Sequence, residues 1–210
     1  MGADYGELSD EELWQRADDR DGAAFGVLFD RHSKAVYNHC FRRTGSWDAA
    51  QDLTSVVFME AWRKRKDVRL HGDSILPWLL AVSNNVARNA DRSIRRRQRL
   101  LAKLPPQPAT DIAEADVDQR VDDERAMASI LAKLAVLRVE EREVIALCDW
   151  ANLSYAEAAT AIGIPIGTVR SRLSRAHARI RQLVEDEERT DPPAVAHTST
   201  LAKEENHDHA

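Results

Sequence analysis

The sequence predicts an all-α protein made of two small helical domains. Ala, Leu, Arg and Glu dominate a composition with only 6% aromatic residues. Apolar residues recur at helical spacing, and no alternating strand pattern is present. Prolines at 105–108 cannot continue a helix, and an acidic stretch poor in large apolar residues follows them. We predict domains over 8–104 and 124–185, the second with a helix-turn-helix, a flexible acidic linker over 105–123 and a disordered tail over 186–210.

The composition is that of a globular protein that works in water. About 43% of the residues are hydrophobic and 31% are charged. No run of about 18 apolar residues is present, so we expect no membrane insertion. The N-terminal residues are acidic and lack the basic and then apolar pattern of a signal peptide. These features predict residence in the cytoplasm.

The distribution of charge indicates nucleic acid although the net charge is −5. Residues 88–103 hold seven Lys or Arg against one acid, and residues 166–181 hold five Arg and no acid. Between them, residues 111–125 carry seven acids, and residues 185–191 carry five more. Two basic blocks separated by an acidic one indicate two nucleic-acid contacts joined by a segment that avoids DNA.

Helix signals define the first domain. Ser9 and Glu12 have the spacing of a capping box, and Ser46 can cap a later helix. Pro77 suits the first turn of a fourth helix, where its missing N–H costs nothing. The second and third helices have apolar stripes, formed respectively by Phe25, Leu28, Phe29, Val36 and Cys40, and by Ala50, Leu53, Val57 and Ala61.

The second domain reads as a helical block that ends in a helix, a turn and a further helix. The block starts near Glu124, and its apolar face consists of Ile130, Leu131, Leu134 and Leu137. Ser154 and Glu157 form a second capping box, and Gly163 lies at a turn that often needs positive φ.

The last helix, from about Gly167, has the pattern of a DNA-reading helix. At 100° per residue, one side carries Val169, Leu173, Ala176 and Ile180. The opposite side carries Ser171, Ser174, Arg175 and Ala178, flanked by Arg170 and Arg172. Arg can reach guanine in the major groove, and small hydroxyl residues let the backbone approach closely. A solvated amphipathic helix is the alternative, which the absence of acids on this face disfavours.

No pattern in the sequence indicates catalysis. Cys40 and Cys148 are far apart and are interpreted as core thiols, the alternative being a regulatory disulfide or a metal site. The sequence shows no metal-ligand cluster, no Gly-rich phosphate loop and no nucleophile–base pair. We therefore expect no enzymatic activity, no metal and no cofactor.

The string from Leu153 to Ala176, including Gly167-Thr168-Val169-Arg170-Ser171-Arg172, resembles the C-terminal DNA-binding domain of extracytoplasmic-function (ECF) sigma factors. Related helices occur in two-component response regulators, so this motif alone does not separate the two families. The resemblance implies that the helix reads the minus-thirty-five promoter element. The implied contacts are Thr168, Arg170, Ser171, Arg172, Ser174 and Arg175.

Motifs upstream make the resemblance specific. Asp21-Gly22-Ala23-Ala24-Phe25, then Leu28-Phe29-Asp30-Arg31-His32 and the run from Asp52 to Trp62 resemble the N-terminal domain of the same family. In that family this domain binds the clamp helices of the polymerase β′ subunit. The resemblance assigns core-polymerase binding or its support to Asp52, Leu53, Val57, Phe58 and Trp62. For Leu53 and Val57 plain core packing is the favoured alternative.

The helix that begins at Pro77-Trp78-Leu79-Leu80 resembles the one that meets the minus-ten element. The family usually shows Ile-Ala-Arg-Asn where this chain has Val82-Ser83-Asn84-Asn85. The loop over 69–76 corresponds to one that captures a base flipped from the non-template strand, and an amide can hydrogen-bond such a base. The implied minus-ten contacts are Asn84 and Asn85, with phosphate contacts from Arg88, Arg92, Arg95 and Arg96. A solvated basic helix end is the alternative for these arginines.

The resemblance implies a transcription initiation factor that makes or breaks no bond. Its implied partners are core RNA polymerase, through the β′ clamp helices and the β flap, promoter DNA, and an anti-sigma factor of the kind that holds many family members inactive. Its implied place is the cytoplasm, on the nucleoid when bound to polymerase. A DNA-binding regulator that acts without polymerase is the main alternative, and it leaves the Asp52–Trp62 motif unexplained.

Overall fold

A computed structural model of the chain describes residues 5–19, 21–70, 73–101 and 117–190, and all regular structure in this part is helical. The described ranges contain a π-helix (Ile145–Trp150) between α6 and α7. The α-helices are α1 (Asp10–Asp18), α2 (Gly22–Thr44), α3 (Trp47–Lys64), α4 (Leu76–Leu101), α5 (Val117–Leu134), α6 (Val139–Val144), α7 (Tyr155–Ile162) and α8 (Ile166–Thr190). The predicted all-α class is confirmed.

Helices α1 to α4 pack into one bundle whose ends are defined by side-chain caps. Ser9 and Glu12 form the predicted capping box of α1, and Ser46 caps α3 through the N–H of Ala49. Gly45 ends α2 in the left-handed conformation, with φ of 69°. This glycine allows a turn so tight that α2 and α3 lie side by side.

The core of this bundle follows most of the predicted stripes. The residues buried there include Leu28, Val36, Cys40, Ala50, Leu53, Val57, Ala61, Leu79 and Leu80. Phe29 is an exception, because 42% of it is exposed although it falls in the predicted stripe of α2. Its ring lies edge-on against Phe58, with centroids 4.7 Å apart, so it covers the rim of the core rather than entering it.

The second half differs from the prediction at its start. Helix α5 begins at Val117, seven residues before the expected start near Glu124, and it takes in part of the stretch that was predicted to be linker. The predicted apolar face is divided, because Leu134 and Leu137 are buried whereas 44% of Ile130 is exposed. The chain leaves the helix after Leu134 and starts again at Val139, so this block is two helices.

The helix-turn-helix has the predicted form. Ser154 and Glu157 cap α7 reciprocally, and Gly163 ends it with φ of 70°. Ala158 and Ala159 are buried between α7 and its neighbours, and α8 follows after a turn of three residues. Val169, Leu173 and Ala176 are buried, which confirms the apolar stripe of α8.

The two halves of the described chain are in contact. Helix α7 packs along α4, and the π-helix packs against α2 and α4. Buried apolar side chains from both halves form one continuous core. Among the described helices, none combines the length and the apolar character that crossing a bilayer requires.

Candidate nucleic-acid interface

Helix α8 presents a polar face to solvent opposite its buried stripe. Arg170, Ser171, Ser174 and Arg175 are exposed, while Thr168 and Arg172 are half-buried. The Ser171 hydroxyl donates to the Thr168 carbonyl at 3.0 Å, so it adds no bulk to this face. A long basic side chain beside small hydroxyl residues is the surface that major-groove recognition needs.

A buried glutamate holds α8 on α6. Glu141 is only 2% exposed, and its carboxylate accepts a hydrogen bond from Arg179 at 2.5 Å and one from the Arg138 N–H at 2.9 Å. Arg175 Nε lies 3.9 Å from the same carboxylate, but 57% of the Arg175 side chain is exposed. Arg179 therefore anchors the helix, whereas Arg175 remains available to a ligand in the groove.

The two predicted base contacts on α4 differ in their exposure to solvent. Asn84 is 1% exposed, and its Oδ1 lies 3.0 Å from Nε2 of His39, which is also buried. Burial lowers the pKa of His39 to about 4, although the bond to Asn84 opposes this shift. His39 is therefore neutral near pH 7, and Nε2 carries the proton that it donates to Asn84. Asn84 is inaccessible in this arrangement, whereas Asn85 on the next position is exposed.

Arg88 lies one turn beyond the asparagines and already has two partners. It donates to Asn85 Oδ1 at 3.1 Å, and it forms an ion pair with Glu143 of α6. Glu143 is nearly buried, while 35% of the Arg88 side chain remains exposed. The side chains of the other predicted phosphate contacts, Arg92, Arg95 and Arg96, lie outside the part of the chain that the structure describes.

The start of α4 is fixed by a buried carboxylate from α1. Asp10 accepts hydrogen bonds from the Ile75 N–H at 3.1 Å and from the Ser74 hydroxyl at 3.0 Å. Arg31 and His32 of α2 lie 3.1 and 2.6 Å from the same carboxylate. Burial raises the pKa of Asp10, but the hydrogen bonds from Ile75, His32 and Arg31 outweigh it and hold the pKa below its usual value. Asp10 thereby joins α1, α2 and the end of the predicted base-capture loop.

The predicted polymerase-binding residues divide into exposed and buried ones. Asp52 is exposed on α3, and Trp62 is half-buried under the Arg65 guanidinium, 3.9 Å from the ring centroid. The remaining three, Leu53, Val57 and Phe58, are core residues. For Leu53 and Val57 this agrees with the favoured core interpretation.

Two exposed apolar residues near Asp52, Val56 and Met59, were missed from the sequence, and Phe29, expected in the core stripe of α2, is exposed as well. Met59 is 62% exposed and Val56 is 36% exposed on α3, and Phe29 of α2, which is 42% exposed, packs against Phe58 of α3. Asp52, Val56 and Met59 are three or four positions apart and so share one face of α3. For Val56 and Met59 the signal was present in the sequence, because both are apolar but lie outside the predicted core stripe of α3.

The thiols and acids of the described chain form no metal site. Cys40 is buried and Cys148 half-buried, and both are free. Burial raises the pKa of the Cys148 thiol to about 11, so it is a poor nucleophile near neutral pH. Within the described residues, no group of three or more His, Cys, Asp or Glu has a geometry that could hold a metal ion.

Two family models match the chain, in the order of its two halves. Residues 28–100 match sigma-70 region 2, and residues 127–180 match sigma-70 region 4. The first match contains α3 and α4, and the second contains the helix-turn-helix. The matched ranges therefore include α4 up to residue 100 and the part of α8 from 166 to 180.

Curated relatives and solved structures agree with these matches. The ECF RNA polymerase sigma factor SigE of Mycolicibacterium smegmatis is 28% identical over 186 residues, which cover 85% of this chain and 70% of the relative. The RNA polymerase sigma factor HrpL of Pseudomonas syringae is 30% identical over 145 residues, covering 69% and 78%. The sigma factor RpoE of Bartonella quintana, solved with the anti-sigma factor NepR, is 25% identical with a TM-score of 0.51, covering 77% and 96%.

Proposed function

The chain belongs to the sigma-70 family of RNA polymerase sigma factors, in its ECF branch, and from this premise we propose how its two halves divide promoter recognition. Its function is that of an alternative sigma factor, which directs RNA polymerase to promoters and supports transcription initiation. We propose a region 2 domain over 8–104 and a region 4 domain over 124–185, although the helices at the two ends of the latter, α5 and α8, extend to Val117 and Thr190.

The N-terminal half docks on core polymerase through the exposed face of α3. The observation that supports this is an apolar patch, Val56, Met59 and Phe29, next to a core that is already well packed. Exposed apolar side chains that share one face indicate a protein partner. Asp52 at the edge of this patch supplies a charge, and the buried Leu53, Val57 and Phe58 support the patch from behind.

A charge placed in the patch should abolish docking without unfolding the protein. Met59→Glu is expected to weaken co-purification with core polymerase at least tenfold, because an ion would be desolvated against the partner. The control is Val184→Glu, since Val184 is 49% exposed on α8, in the other half. Equal binding by Met59→Glu and by the unmodified chain would remove α3 from the proposed interface.

Helix α4 meets the minus-ten element, with Asn85 as the base-contacting residue and Arg88 as a phosphate contact. Support comes from the exposure of Asn85 and from the position of Arg88 one turn further along the same helix. Arg92, Arg95 and Arg96 extend this basic track in the sequence. Such phosphate contacts add affinity and position, while Asn85 contributes preference among bases. Asn84 supports the site through His39 instead of touching DNA.

Helix α8 reads the minus-thirty-five element in the major groove. Arg175 and Arg170 are the long side chains on its exposed face, and Ser171 and Ser174 leave room for the DNA backbone. Arg172, Thr168 and the anchored Arg179 lie nearer the protein. Arg175 is the residue best placed for a bidentate contact to guanine, because it is mostly exposed.

An anti-sigma factor is a proposed partner, and the cytoplasm is the proposed location, on the nucleoid once polymerase is bound. Support for the former comes from the similar RpoE, which was solved with the anti-sigma factor NepR. The family acts in transcription initiation, and we propose that this chain makes or breaks no bond.

Transcription by reconstituted holoenzyme tests the proposed function directly. Core polymerase with this chain should initiate at a subset of promoter fragments selected from genomic DNA, and core polymerase alone should not. Met59→Glu is the matched negative control. Sequence-specific repression or activation by the free chain, without binding to core polymerase, would favour the polymerase-independent regulator.

A further inference from the structure

One oxygen of the carboxylate buried beneath α8 has no hydrogen bond. Glu141 of α6 is 2% exposed, and its Oε2 accepts from the Arg179 guanidinium at 2.5 Å and from the Arg138 N–H at 2.9 Å. Its Oε1 is also buried, and no hydrogen-bond partner for it lies among the described residues. Leaving a buried carboxylate oxygen without a donor costs free energy. We therefore looked for a donor that completes this oxygen when the protein works.

Arg175 carries a donor that can reach this oxygen. Its Nε lies 3.9 Å from Oε1 of Glu141, which is an ion-pair distance but about 1 Å longer than a hydrogen bond. The Arg175 side chain is 57% exposed, so a small rotation of its torsion angles can close this gap. The same side chain is the one assigned above to a base in the major groove. One edge of its guanidinium thus faces a buried acid while most of the side chain faces solvent.

A guanidinium can serve the acid and a base at the same time. It is a planar fork with five N–H donors, one on Nε and four on the two terminal nitrogens. When Nε faces Oε1 of Glu141, the terminal nitrogens lie at the other end of the group. These two nitrogens can together bind O6 and N7 of guanine. The acid and the base therefore use different donors of Arg175 and do not compete for it.

We propose that Glu141 is a positioning residue for promoter recognition, whose Oε1 accepts from Arg175 Nε and fixes the plane in which Arg175 presents its terminal nitrogens to a guanine. This inference rests on the proposed role of α8 at the minus-thirty-five element. A side chain that is ordered beforehand loses less conformational entropy on binding. The gain falls on the preferred base and not on DNA in general, because the negative charge of Glu141 itself disfavours phosphate.

Glu141→Gln removes the acceptor that faces Arg175 and keeps the size of the side chain. The amide oxygen can still accept from Arg179 and from the Arg138 N–H, which leaves the NH2 group in the place of Oε1. The opposite orientation would set the NH2 group against two donors, so it is disfavoured. Glu140→Gln is the matched control, because it removes the same charge from the exposed neighbouring position. Thermal melting of each variant establishes that it is folded.

The first test measures the order of the Arg175 side chain without DNA, so its result does not depend on the proposed function. Nitrogen-15 relaxation of the arginine Nε–H groups is recorded on the full free chain. Arg170 is the internal reference, since it is exposed on the same helix and no ion pair joins it to another described residue. Arg175 should be more ordered than Arg170. Glu141→Gln should remove this difference, and Glu140→Gln should preserve it.

The second test measures base discrimination by holoenzyme assembled from core polymerase and the full chain. The probes are a promoter fragment that the unmodified holoenzyme selects from genomic DNA and fragments with single base-pair changes in its upstream element. Glu141→Gln should lower the ratio of their affinities about three- to tenfold at one position, with no loss of affinity for the changed fragments. Glu140→Gln should leave the ratio unchanged. In an Arg175→Ala background, Glu141→Gln should have no further effect on the ratio.

Arg175→Lys provides a test that leaves Glu141 intact. A lysine keeps the positive charge but offers one ammonium group in place of the planar fork, so it cannot hold the carboxylate and both guanine acceptors in fixed geometry. Holoenzyme with Arg175→Lys should therefore discriminate as poorly as holoenzyme with Arg175→Ala. This comparison decides the matter even if Glu141→Gln lowers the stability of the fold.

The outcomes separate the positioning role from the proposed function. The positioning role is overturned if Arg175 is no more ordered than Arg170, if Glu140→Gln matches Glu141→Gln, or if Arg175→Lys discriminates fully. It is also overturned if Glu141→Gln changes the ratio equally with and without Arg175. If instead Arg175 loses its order in Glu141→Gln but Arg175→Ala weakens binding to all fragments alike, Glu141 still orders Arg175 and the proposed base contact is wrong.

Discussion

Helices α4 and α8 carry similar basic sequences, but the protein presents them differently. On α8, Arg170 and Arg175 are exposed, and Glu141, which Arg175 approaches to 3.9 Å, is already bound to Arg179. On α4, Asn84 is buried against His39, and Arg88 is paired with Glu143 from the other half. Basic residues at similar density therefore yield one surface that is open to solvent and one that is partly engaged by the other half of the chain.

The difference follows from what each helix packs against. Helix α8 packs on α6 and α7 through one stripe, and beyond it Glu187 and His177 form ion pairs with Lys133 of α5 and Asp149 of the π-helix. Helix α4 packs on α2 and α3 through one side and on α7 and the π-helix through another. A helix that is contacted on two sides has less surface left for a ligand, whatever its sequence.

The largest effect is expected from the buried side of α8. Leu173→Ala should lower the free energy of unfolding by about 2–5 kcal/mol, because the side chain is 3% exposed and its removal leaves a cavity. Urea denaturation measures this. Ser174→Ala, one position along on the exposed side, is the control and should leave stability nearly unchanged. Similar losses for the two variants would contradict the assignment of the faces.

The buried side of α4 should make stability depend on pH. His39 has a pKa of about 4 when folded and about 6.5 when unfolded, so the unfolded chain binds more protons between these values. Stability is therefore full above pH 6.5 and is lost as pH falls towards 4, by up to about 3 kcal/mol. Urea denaturation at pH 7, 6 and 5 should show the loss. His39→Gln should have a flatter profile, and an unchanged profile would assign the pH dependence to other groups.

Substitutions of the neighbouring Asn84 and Asn85 should separate an effect on stability from an effect on function. Asn84→Ala leaves His39 without its hydrogen-bond partner and should lower the free energy of unfolding by about 1–3 kcal/mol. Asn85→Ala should leave stability unchanged but impair open-complex formation by holoenzyme, with core binding intact. Permanganate footprinting of the melted region measures the second effect. The control uses a pre-melted promoter template. If Asn85→Ala and the unmodified chain use this template equally well, the base pocket lies elsewhere.

A substitution on the exposed side of α8 should affect the specificity for DNA sequence alone. Arg175→Ala is expected to cost about 1–3 kcal/mol at the preferred upstream element if the side chain makes a bidentate base contact. Holoenzyme binding to the preferred fragment and to fragments with single base changes measures it. Uniform weakening on all fragments would reassign Arg175 to a phosphate contact.

Local signals in the sequence were reliable where the physical cause is local. The capping boxes at Ser9 and Ser154 form as predicted, because a hydroxyl and a carboxylate three residues apart can satisfy the first N–H groups without outside help. Gly163 adopts a positive φ because it ends α7 at a turn, and glycine has no Cβ to oppose this conformation. The apolar stripe of α8 is buried as its spacing of three and four predicts.

The structure adds to the sequence-based expectations, or departs from them, where a second segment decides the outcome. Phe29 fits the stripe of α2 by its spacing, but the packing of α3 leaves it at the rim of the core. Asn84 stays a predicted DNA contact, and its burial beside His39, 45 residues away in the chain, could not be seen from the sequence. The early start of α5 and the π-helix at Ile145–Trp150 had no signal that periodicity alone could detect.

The sequence by itself determined the helical class, the helix-turn-helix, the family and the two basic helices. Periodicity, caps and motifs depend on residues that are close together in the chain, so they can be identified without the fold. Only the tertiary structure decided which of those basic residues are available. Burial and ion pairing depend on side chains from distant segments, as Glu143 on Arg88 and His39 on Asn84 illustrate. An arginine is recognisable from sequence, but whether its partner is a phosphate, water or a carboxylate of the same chain is set by what the fold places within about 3 Å of it.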